Sequence, residues 1–457
     1  MRSSGASTFR LRRFSRTASA CSRTNGRGSM ARYGIGAMRI SPSTTRVAIV
    51  SFEGPDRYST VGGLATRVTD LVPALVARGY DVTHVFVGDP ALPADERRDG
   101  ARFVRWGQWI SRLHPRDVYD GEWGKWRDFS DTVPPWLVAN IVAPPGRSVL
   151  LFEDWQTAQA AYRTAELAYI GGAGRRSVTL WNANNTYGCD GIDFARLQLT
   201  TRVTTVSRWM RTELQPFGVS DAIVVPNGIA ERMLTPVSAS DTSALRGALD
   251  AYVVFVKVAR FDRDKRWLGA IDAVAELKRR GTQVRFLFRG SASPYRDEVL
   301  AHLYRRELSA TTLRLDGQFT ARAFAGRLAS LTEDAAFLDF FVPERVLRAL
   351  YGIADGVLAN SEREPFGLVG LEVMGTGGVA YVGTTGEDYA QPLGNSVVVR
   401  TNDPREVADA AEYLRARPEL EKRIRAEGRQ TAKRYSWPRV IDDMELVWEY
   451  AAERAGG

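Results

Sequence analysis

The sequence is poor in the residues from which many catalytic and metal centres are built. Its 457 residues include two cysteines and three histidines. Two cysteines cannot form a disulfide framework, which favours a reducing, cytoplasmic location. The histidines, His84, His114 and His302, do not stand at a spacing typical of metal ligands. We therefore expect a metal-independent protein without a Ser-His-Asp mechanism.

Long hydrophobic runs are also missing. No apolar stretch approaches the roughly 18 residues that a transmembrane helix needs. We therefore expect no transmembrane segment. A chain of 457 residues is long enough for two domains of ordinary size, each with its own hydrophobic core.

Acidic residues are absent from the first part of the chain. Residues 1–46 contain ten arginines, and subtracting them from the formal net charge of +9 leaves −1 for the rest. This balance does not favour nucleic acid as a partner. Residues 1–44 are rich in Ser, Arg and Gly, so we expect a disordered basic tail. It resembles either a transit peptide or an extension upstream of a start at Met30 or Met38.

The most informative stretch is the segment 361–374, Ser-Glu-Arg-Glu-Pro-Phe-Gly-Leu-Val-Gly-Leu-Glu-Val-Met. The pattern before it predicts a buried strand at residues 356–360, and the apolar spacing becomes helical from Gly367. Residues 361–366 are thus predicted to form a strand-to-helix loop. Loops of this kind lie at the edge of an α/β sheet where ligands bind.

This segment offers two kinds of ligand-binding group. Glu364 on the loop and Glu372 on the helix supply carboxylates for hydroxyl groups. The free amides of Phe366, Gly367 and Leu368 lie at a helix N-terminus, which suits a phosphate. A nucleoside diphosphate sugar carries both hydroxyls and phosphates, so it fits this predicted site.

The Glu-x7-Glu pattern around Glu-Pro-Phe-Gly resembles the donor signature of retaining GT-B glycosyltransferases, glycogen and starch synthases and other glycosyl transferases of group 1 included. The resemblance implies that Glu364 contacts the transferred sugar and that Glu372 contacts the ribose. It also implies that the nucleotide sugar is a co-substrate and that no cofactor is required.

A second donor element follows the predicted strand at residues 253–259. Arg260 and Lys265 flank one short loop, so both cations can reach one diphosphate and stabilise its charge as it leaves. The loop resembles the Arg-x4-Lys loop of the family, although Arg266 stands where glycine is usual. We predict Arg260, Lys265 and Glu364 as the catalytic residues.

The chain also begins with a predicted strand-helix-strand unit, over residues 46–51, 64–77 and 82–87. Gly62 and Gly63 precede its helix and let the backbone approach an anion, although a Gly pair alone is more typical of a plain turn. The Gly-Gly-Leu sequence resembles the N-terminal glycine loop of glycogen synthases. This resemblance predicts a donor-binding role for both glycines.

Candidate acceptor residues follow two further predicted strands. Asp154 and Trp155 lie after the strand at residues 148–152 and resemble the Asp-Trp-x-Thr-Ala segment of the family, although a helix N-cap also explains Asp154. Asn182 is predicted as a polar contact to the acceptor. Trp181 stands where the family has a histidine, and tryptophan cannot accept a hydrogen bond.

An aromatic stretch, residues 102–136, is open to two interpretations. Its rings and acidic residues suit a carbohydrate acceptor, but the packing of an insertion against its domain explains them as well. The aromatic residues are Trp106, Trp109, Tyr119, Trp123, Trp126, Phe129 and Trp136.

These patterns together predict an α/β protein of GT-B fold, with two Rossmann-like domains facing across a cleft. We expect an acceptor-side domain at residues 45–235, a nucleotide-sugar domain at 236–435 and a crossing helix at 436–457. Residues 231–249 are predicted to contain the linker.

The predicted activity is a retaining transfer of a hexose, with glucose favoured, from a nucleoside diphosphate sugar to a carbohydrate acceptor, as in glycogen synthases. A lipid, small-molecule or protein acceptor remains an alternative. So does a GT-B-like nucleotide sugar epimerase or a non-catalytic binder, although an epimerase needs acid and base groups around the sugar.

Overall fold

Two parallel β-sheets organise the protein. The computed structural model describes residues 40–249, 252–291, 293–317 and 319–456. The first sheet has the strand order β3-β4-β2-β1-β5-β6-β7-β8, and only β3 pairs antiparallel to its neighbour within it. Its strands are β1 (Thr45–Val50), β2 (Asp81–Val87), β3 (Asp95–Arg98), β4 (Ala101–Trp106), β5 (Arg147–Glu153), β6 (Ser177–Ala183), β7 (Arg202–Thr205) and β8 (Ile223–Val224).

Six helices belong to the first sheet, and together with it they form the N-terminal half. They are α1 (Gly63–Arg78), α2 (Gln108–Ser111), α3 (Glu122–Leu137), α4 (Trp155–Ile170), α5 (Phe194–Thr200) and α6 (Arg208–Glu213). Central strands such as β5 are buried on both faces, because helices cover both sides of the parallel sheet.

The second sheet has the strand order β11-β12-β10-β9-β13-β14-β15, and all its described pairs are parallel. Its strands are β9 (Val253–Val258), β10 (Val284–Arg289), β11 (Ala310–Leu313), β12 (Ala335–Leu338), β13 (Gly356–Ala359), β14 (Ala380–Val382) and β15 (Val397–Val398). This sheet and its helices form the C-terminal half.

The remaining helices follow in chain order. They are α7 (Glu231–Leu234), α8 (Ala239–Leu249), α9 (Trp267–Arg279), α10 (Tyr295–Arg305), α11 (Ala321–Ala329), α12 (Glu344–Ile353), α13 (Leu368–Thr376), α14 (Pro404–Arg415), α15 (Pro418–Arg434) and α16 (Trp437–Gly456). In the described part of the chain, no helix combines the length and apolar character that crossing a bilayer requires.

The last helix, α16, returns to the N-terminal half. Trp448 is 1% exposed, and its ring lies 5.5 Å from that of Tyr80 between centroids. Arg78 at the end of α1 forms an ion pair of 2.7 Å with Glu445. The predicted crossing helix is thus confirmed, and it packs against the first sheet.

The chain passes between the two halves at two adjacent points. The backbone N–H of Ile229 donates to the carbonyl of Tyr435 at 2.8 Å, and the N–H of Trp437 donates to the carbonyl of Ile229 at 3.2 Å. A Cβ atom on Gly228 would lie 2.4 Å from the Trp437 ring, so glycine is required for this close approach. The two connections are therefore held together.

Two boundaries differ from the sequence prediction. Most of the predicted tail lies outside the described residues, but its last residues are folded: 42–44 form a 3-10 turn, and Ile40 packs against the core. The predicted linker, residues 231–249, contains α7 and α8. Helix α8 packs on α11 and α12, because its Leu245 and Leu249 are fully buried. This segment is therefore mostly part of the C-terminal half.

Candidate functional site

Three loops meet at the carboxyl edge of the second sheet, because they follow the adjacent strands β9, β13 and β14. The N–H of Glu362 donates to the carbonyl of Asp264 at 2.7 Å and so joins the first two loops. The N–H of Gly386 donates to the carbonyl of Glu364 at 2.8 Å and joins the third. A Cβ on Gly386 would lie 2.0 Å from the carbonyl oxygen of Pro365, so only glycine permits this approach.

Lys265 and Glu364 lie in contact at this junction. Lys265 Nζ is 2.8 Å from Glu364 Oε2, and the hydroxyl of Ser361 donates to the same oxygen at 2.9 Å. Their side chains are 14% and 23% exposed, so the pair is sheltered but reachable. Arg260 is exposed on the same loop as Lys265. The structure therefore brings two of the three predicted catalytic residues into direct contact.

The predicted phosphate-binding amides lie beside this pair. Gly367 has φ 82° and ψ 52° and precedes α13 as its N-cap. The Tyr389 hydroxyl donates to the Gly367 carbonyl at 2.5 Å. The Phe366 ring is buried and packs against Tyr389 and Tyr435. These contacts fix the direction of the first amides of α13, at a helix end that favours an anion.

Glu372 lies one turn further along α13, in a half-buried position that faces the N-terminal half. Burial raises the pKa of its carboxyl to about 7, with a further contribution from the negative charge of Asp70 on α1 and an opposing one from Arg232. Charges from both halves therefore act on this predicted ribose contact.

A buried lysine, Lys257, forms hydrogen bonds at the end of β13, just before the loop that carries Glu364. Lys257, in β9, donates from Nζ to the carbonyl of Leu358 at 2.8 Å, and Asn360 Oδ1 lies 3.4 Å away. Burial, together with the positive charge of Lys265, lowers the pKa of Lys257 to about 7. The sequence analysis missed this residue, because a lysine inside an apolar strand gives no signal of its partners.

The N-terminal glycine loop already holds a carboxylate of the protein. Glu53 Oε2 accepts hydrogen bonds from Gly62 N at 3.0 Å and from Ala65 N at 2.9 Å. The hydroxyl of Tyr119 donates to Oε1 of Glu53 at 2.5 Å. A donor phosphate at Gly62 and Gly63 would therefore compete with Glu53.

Asp154 lies at the start of α4 with φ 63° and ψ 175°, a conformation that non-glycine residues rarely adopt. Its carboxylate does not cap the helix, so the alternative interpretation as a side-chain N-cap is wrong. It accepts from Asn184 N at 2.8 Å and from Asn185 Nδ2 at 3.1 Å. Burial raises the pKa of Asp154 to about 7, and the negative charges of Glu153 and Glu53 add to this effect.

Asn182 was predicted to contact the acceptor, but in the structure its side chain does not reach the cleft. It is 4% exposed, donates to Glu153 Oε2 at 2.9 Å and accepts from the Thr204 hydroxyl at 2.9 Å. Trp181 is fully buried and donates to the carbonyl of Asp154 at 2.9 Å. Both residues lie within β6, and their polar side-chain groups are already hydrogen-bonded to neighbouring residues of the protein. Asn184 and Asn185, in the following loop, are the polar residues that accompany Asp154.

Trp155, the last predicted acceptor residue, is the first residue of α4. Its ring lies within 6.4 Å of Trp126 and 6.2 Å of Tyr187 between centroids. The aromatic stretch of residues 102–136 thus divides into two groups. Phe129 is fully buried in the core, whereas Trp126 lies beside the predicted acceptor residue.

The carboxyl edges of the two sheets face each other. Asp388, in the loop after β14, accepts from Arg208 N at 2.8 Å and from Arg208 Nε at 3.1 Å, at the start of α6. Arg232 contacts Asp70 of α1 at 2.8 Å and Glu344 of α12 at 2.7 Å. The predicted donor residues and the predicted acceptor residue Asp154 therefore border one cleft. Among the described residues, no group of His, Cys, Asp and Glu is arranged to hold a metal ion.

Comparisons with known proteins agree with this architecture. Residues 246–431 match the model of the family described as glycosyl transferases group 1. This match contains Arg260, Lys265, Glu364 and Glu372. A search of curated proteins gave no significant match.

Several solved structures share the fold over nearly the whole chain. Sucrose-phosphate synthase from Thermosynechococcus elongatus superposes with a TM-score of 0.63 at 17% identity, over 90% of this chain and 100% of that one. An α,α-trehalose-phosphate synthase (UDP-forming) from Burkholderia xenovorans, in complex with glucose-6-phosphate, gives 0.62 at 15% identity, over 88% and 100%. HepE from Anabaena in complex with UDP gives 0.59 at 15%, over 89% and 100%.

These likenesses establish the fold, and the family match covers the sheet that carries the candidate donor site. The chain therefore has the GT-B fold of two-domain glycosyltransferases, and its C-terminal half matches the glycosyl transferases of group 1.

Proposed function

We propose that the protein is a retaining glycosyltransferase that moves a hexose, with glucose favoured, from a nucleoside diphosphate sugar to a carbohydrate acceptor. The observation that carries this proposal is the contact between Lys265 and Glu364 beside the N-terminus of α13. One cation, one carboxylate and a set of free amides then surround the point where a sugar joins its diphosphate.

Each group has a separate part in this proposal. The amides of Phe366, Gly367 and Leu368 bind the diphosphate, while Glu364 accepts hydrogen bonds from the sugar hydroxyls. Glu372 accepts hydrogen bonds from the ribose. Lys265 and Arg260 stabilise the negative charge that grows on the diphosphate as the glycosidic bond breaks.

The transfer itself exchanges one C–O bond for another. The bond from the anomeric carbon to the diphosphate breaks, and a bond to the acceptor oxygen forms on the same face. The proton of the acceptor hydroxyl goes to the leaving phosphate, so no side chain is required as nucleophile or general base. We propose that this step needs no metal ion, since Lys265 and Arg260 supply the positive charge.

Three variants test this division of the donor site. Lys265→Ala should lower the transfer rate by on the order of 10²-fold, because it removes a contact that strengthens in the transition state. Glu364→Gln should weaken the binding of the full donor by roughly 1.5–3 kcal/mol, but it should leave the binding of the bare nucleoside diphosphate unchanged. Glu372→Gln should weaken the binding of the full donor and of the bare nucleotide by the same factor.

Calorimetry with the bare nucleotide, together with turnover of the full donor, reads out this pattern. Glu362→Gln, at an exposed position two residues before Glu364, serves as the control for charge removal. Equal weakening of the bare nucleotide by Glu364→Gln and Glu372→Gln would show that the division into sugar and ribose contacts is wrong.

The alternatives are separated by incubation with a panel of nucleotide sugars in the absence of an acceptor. A transferase releases free nucleotide slowly by hydrolysis, an epimerase converts the sugar while it stays attached, and a non-catalytic binder changes nothing. Lipid, small-molecule and protein acceptors are then compared with carbohydrates in the same assay.

A further inference from the structure

Four aromatic side chains form a row at the carboxyl edge of the first sheet. We call this row, Trp123, Trp126, Trp155 and Tyr187, the aromatic ridge. Successive ring centroids lie 4.6, 6.4 and 6.2 Å apart. Trp155 follows β5, Tyr187 lies in the loop after β6, and the other two lie on α3, which packs against α4. The ridge therefore borders the same cleft as Asp154.

Core packing accounts for only part of the ridge, since Trp126 packs against the core but the two end rings do not. Trp106 and Trp136 of the same region pack edge to face with centroids 5.7 Å apart, and Trp106 Nε1 donates to Thr132 at 2.8 Å. The two end rings of the ridge, by contrast, are 63% exposed at Trp123 and 72% exposed at Tyr187. One face of Trp123 is covered by the stacked Trp126 ring, and its other face is available to a ligand, as is the exposed ring of Tyr187.

One polar atom in the ridge is left without a partner. Trp155 Nε1 is buried, and among the described residues it has no hydrogen-bond partner. A buried N–H group that makes no hydrogen bond is costly, and buried indole groups normally find an acceptor. A hydroxyl oxygen of a ligand on the ridge would provide one.

Several carboxylates lie beside the ridge. Glu122, at the start of α3, accepts from Gln156 Nε2 at 3.1 Å, which places this carboxylate next to Trp155. Glu53 and Asp154 lie nearby, because the charges of Glu53, Asp154 and Glu122 all act on Tyr119, whose hydroxyl donates to Glu53. Carboxylates accept hydrogen bonds from sugar hydroxyls but repel a phosphate group.

We propose that the aromatic ridge binds an uncharged oligosaccharide, whose sugar rings lie on the faces of Trp123 and Tyr187 and whose hydroxyls bond to Glu122 and Asp154. The length of four rings suits several consecutive sugar units, whereas a single monosaccharide covers only part of it. This inference rests on the proposed glycosyl transfer for the role of the oligosaccharide as acceptor. It excludes a sugar phosphate as the preferred acceptor.

Binding of neutral oligosaccharides to the full chain tests the inference directly. The probes are maltoheptaose, cellopentaose and a linear β-1,3-glucan pentamer, with glucose-6-phosphate as the charged comparison, each measured by calorimetry. We expect at least one neutral probe to bind, and the double variant Trp123→Ala/Tyr187→Ala to weaken it by about tenfold or more, since it removes both exposed stacking faces. Trp109→Ala, at a position that is 62% exposed but outside the ridge, should leave the affinity unchanged.

A second variant tests the unpaired indole group. Trp155→Phe keeps an aromatic ring but removes Nε1, so it should weaken the same oligosaccharide several-fold while circular dichroism and the melting curve stay those of the wild type. Unchanged affinity in this variant would overturn the assignment of the Trp155 N–H as a ligand contact.

The outcomes separate this inference from the proposed function. Hydrolysis of the nucleotide sugar without acceptor is measured in parallel, and Trp109→Ala should hydrolyse it at the rate of the wild type. If no neutral probe binds, or if the double variant and Trp109→Ala bind it alike, the ridge inference is wrong even when the donor is turned over. If a probe binds through the ridge but no nucleotide sugar is consumed, the proposed transfer is wrong and the ridge remains a carbohydrate site.

Discussion

At the scale of single residues, the conformation of Asp154 is the clearest departure from ordinary backbone geometry. Its φ of 63° with ψ of 175° lies in a region that is essentially restricted to glycine. Such strain persists only where the surrounding structure imposes it, and it concentrates at functional sites. Here the hydrogen bonds from Asn184 and Asn185 hold the carboxylate at the cleft.

The strain at Asp154 can be measured with a matched pair of variants. Asp154→Gly and Asp154→Ala both remove the carboxylate, but only glycine accepts the backbone conformation. We therefore expect the glycine variant to be more stable than the alanine variant by about 1–3 kcal/mol in urea unfolding. An alanine variant as stable as the glycine variant would show that Asp154 stores no strain.

The raised pKa of Glu372 leads to a dependence of stability on pH. Its carboxyl titrates at 4.5 in the unfolded reference state and at about 7 in the folded protein. Between these values the folded state binds more protons, so the contribution of Glu372 to stability is fully present below about pH 4.5 and is lost as the pH rises through 7.

Glu372→Gln removes this titration. We expect the melting temperatures of variant and wild type to agree at pH 5, where Glu372 is protonated, and the variant to melt higher at pH 8. The free energy difference at pH 8 should be on the order of 1–3 kcal/mol. Glu427→Gln, at an exposed position on α15, controls for the loss of a negative charge. A difference that is the same at both pH values would contradict the assignment to Glu372.

At the scale of secondary structure elements, α16 shows how a terminal helix can stabilise a distant sheet. Trp448 is 1% exposed, whereas Leu446, two residues earlier on the same helix, is 65% exposed. Trp448→Ala should therefore lower the free energy of unfolding by about 3–5 kcal/mol. Leu446→Ala should change it by no more than about 0.5 kcal/mol. Equal effects of the two substitutions on the urea midpoint would show that α16 does not pack as described.

The strands and helices around the donor site could be predicted from the sequence with little error. The apolar run at residues 356–360 and the helical spacing from Gly367 correspond to β13 and α13. Lys265 and Glu364 were predicted as residues of one catalytic site, and they meet because β9 and β13 are neighbours that end at the same edge of the sheet. By contrast, α8 was hidden in the predicted linker, since its serines and threonines and the nearby Pro236 resemble a loop.

Side-chain directions were harder to predict than elements. Asn182 was predicted to contact the acceptor, but β6 continues to Ala183, and the side chains of Trp181 and Asn182 form their hydrogen bonds inside the protein. The carboxylate of Glu53 binds the backbone N–H of Gly62, nine residues later in the chain. No local pattern encodes such a contact, because it is set by tertiary packing.

At the scale of the whole molecule, the cleft is bridged by two sets of ion pairs. Arg208 contacts Asp388, and Arg232 contacts Asp70 and Glu344. The arginines are 69% and 53% exposed, and such exposed pairs are each worth only about 0.2–1 kcal/mol. They therefore bias the cleft towards the closed arrangement without locking it.

Removing both bridges should open the cleft. For Arg232→Ala/Asp388→Ala we expect a larger radius of gyration in X-ray scattering and a melting temperature within a few degrees of that of the wild type. Arg196→Ala is the matched control, because Arg196 forms a similar pair of 2.6 Å with Glu166 inside the N-terminal half. An unchanged radius of gyration in the double variant, or the same change in the control, would show that these pairs do not hold the cleft closed.

The adjacent crossings at Ile229 and Trp437 give the C-terminal half the topology of an insertion. The chain enters this half beside the point where it leaves. Of the neighbouring segments, β8 is a strand of the first sheet and α16 packs against that sheet. An inserted unit of this kind can be replaced as a whole, because only its two chain connections, which lie side by side, have to match the rest of the protein. Replacing residues 230–435 with the corresponding part of a glycosyltransferase of the same fold offers a direct way to join the first sheet of this protein to a different C-terminal half.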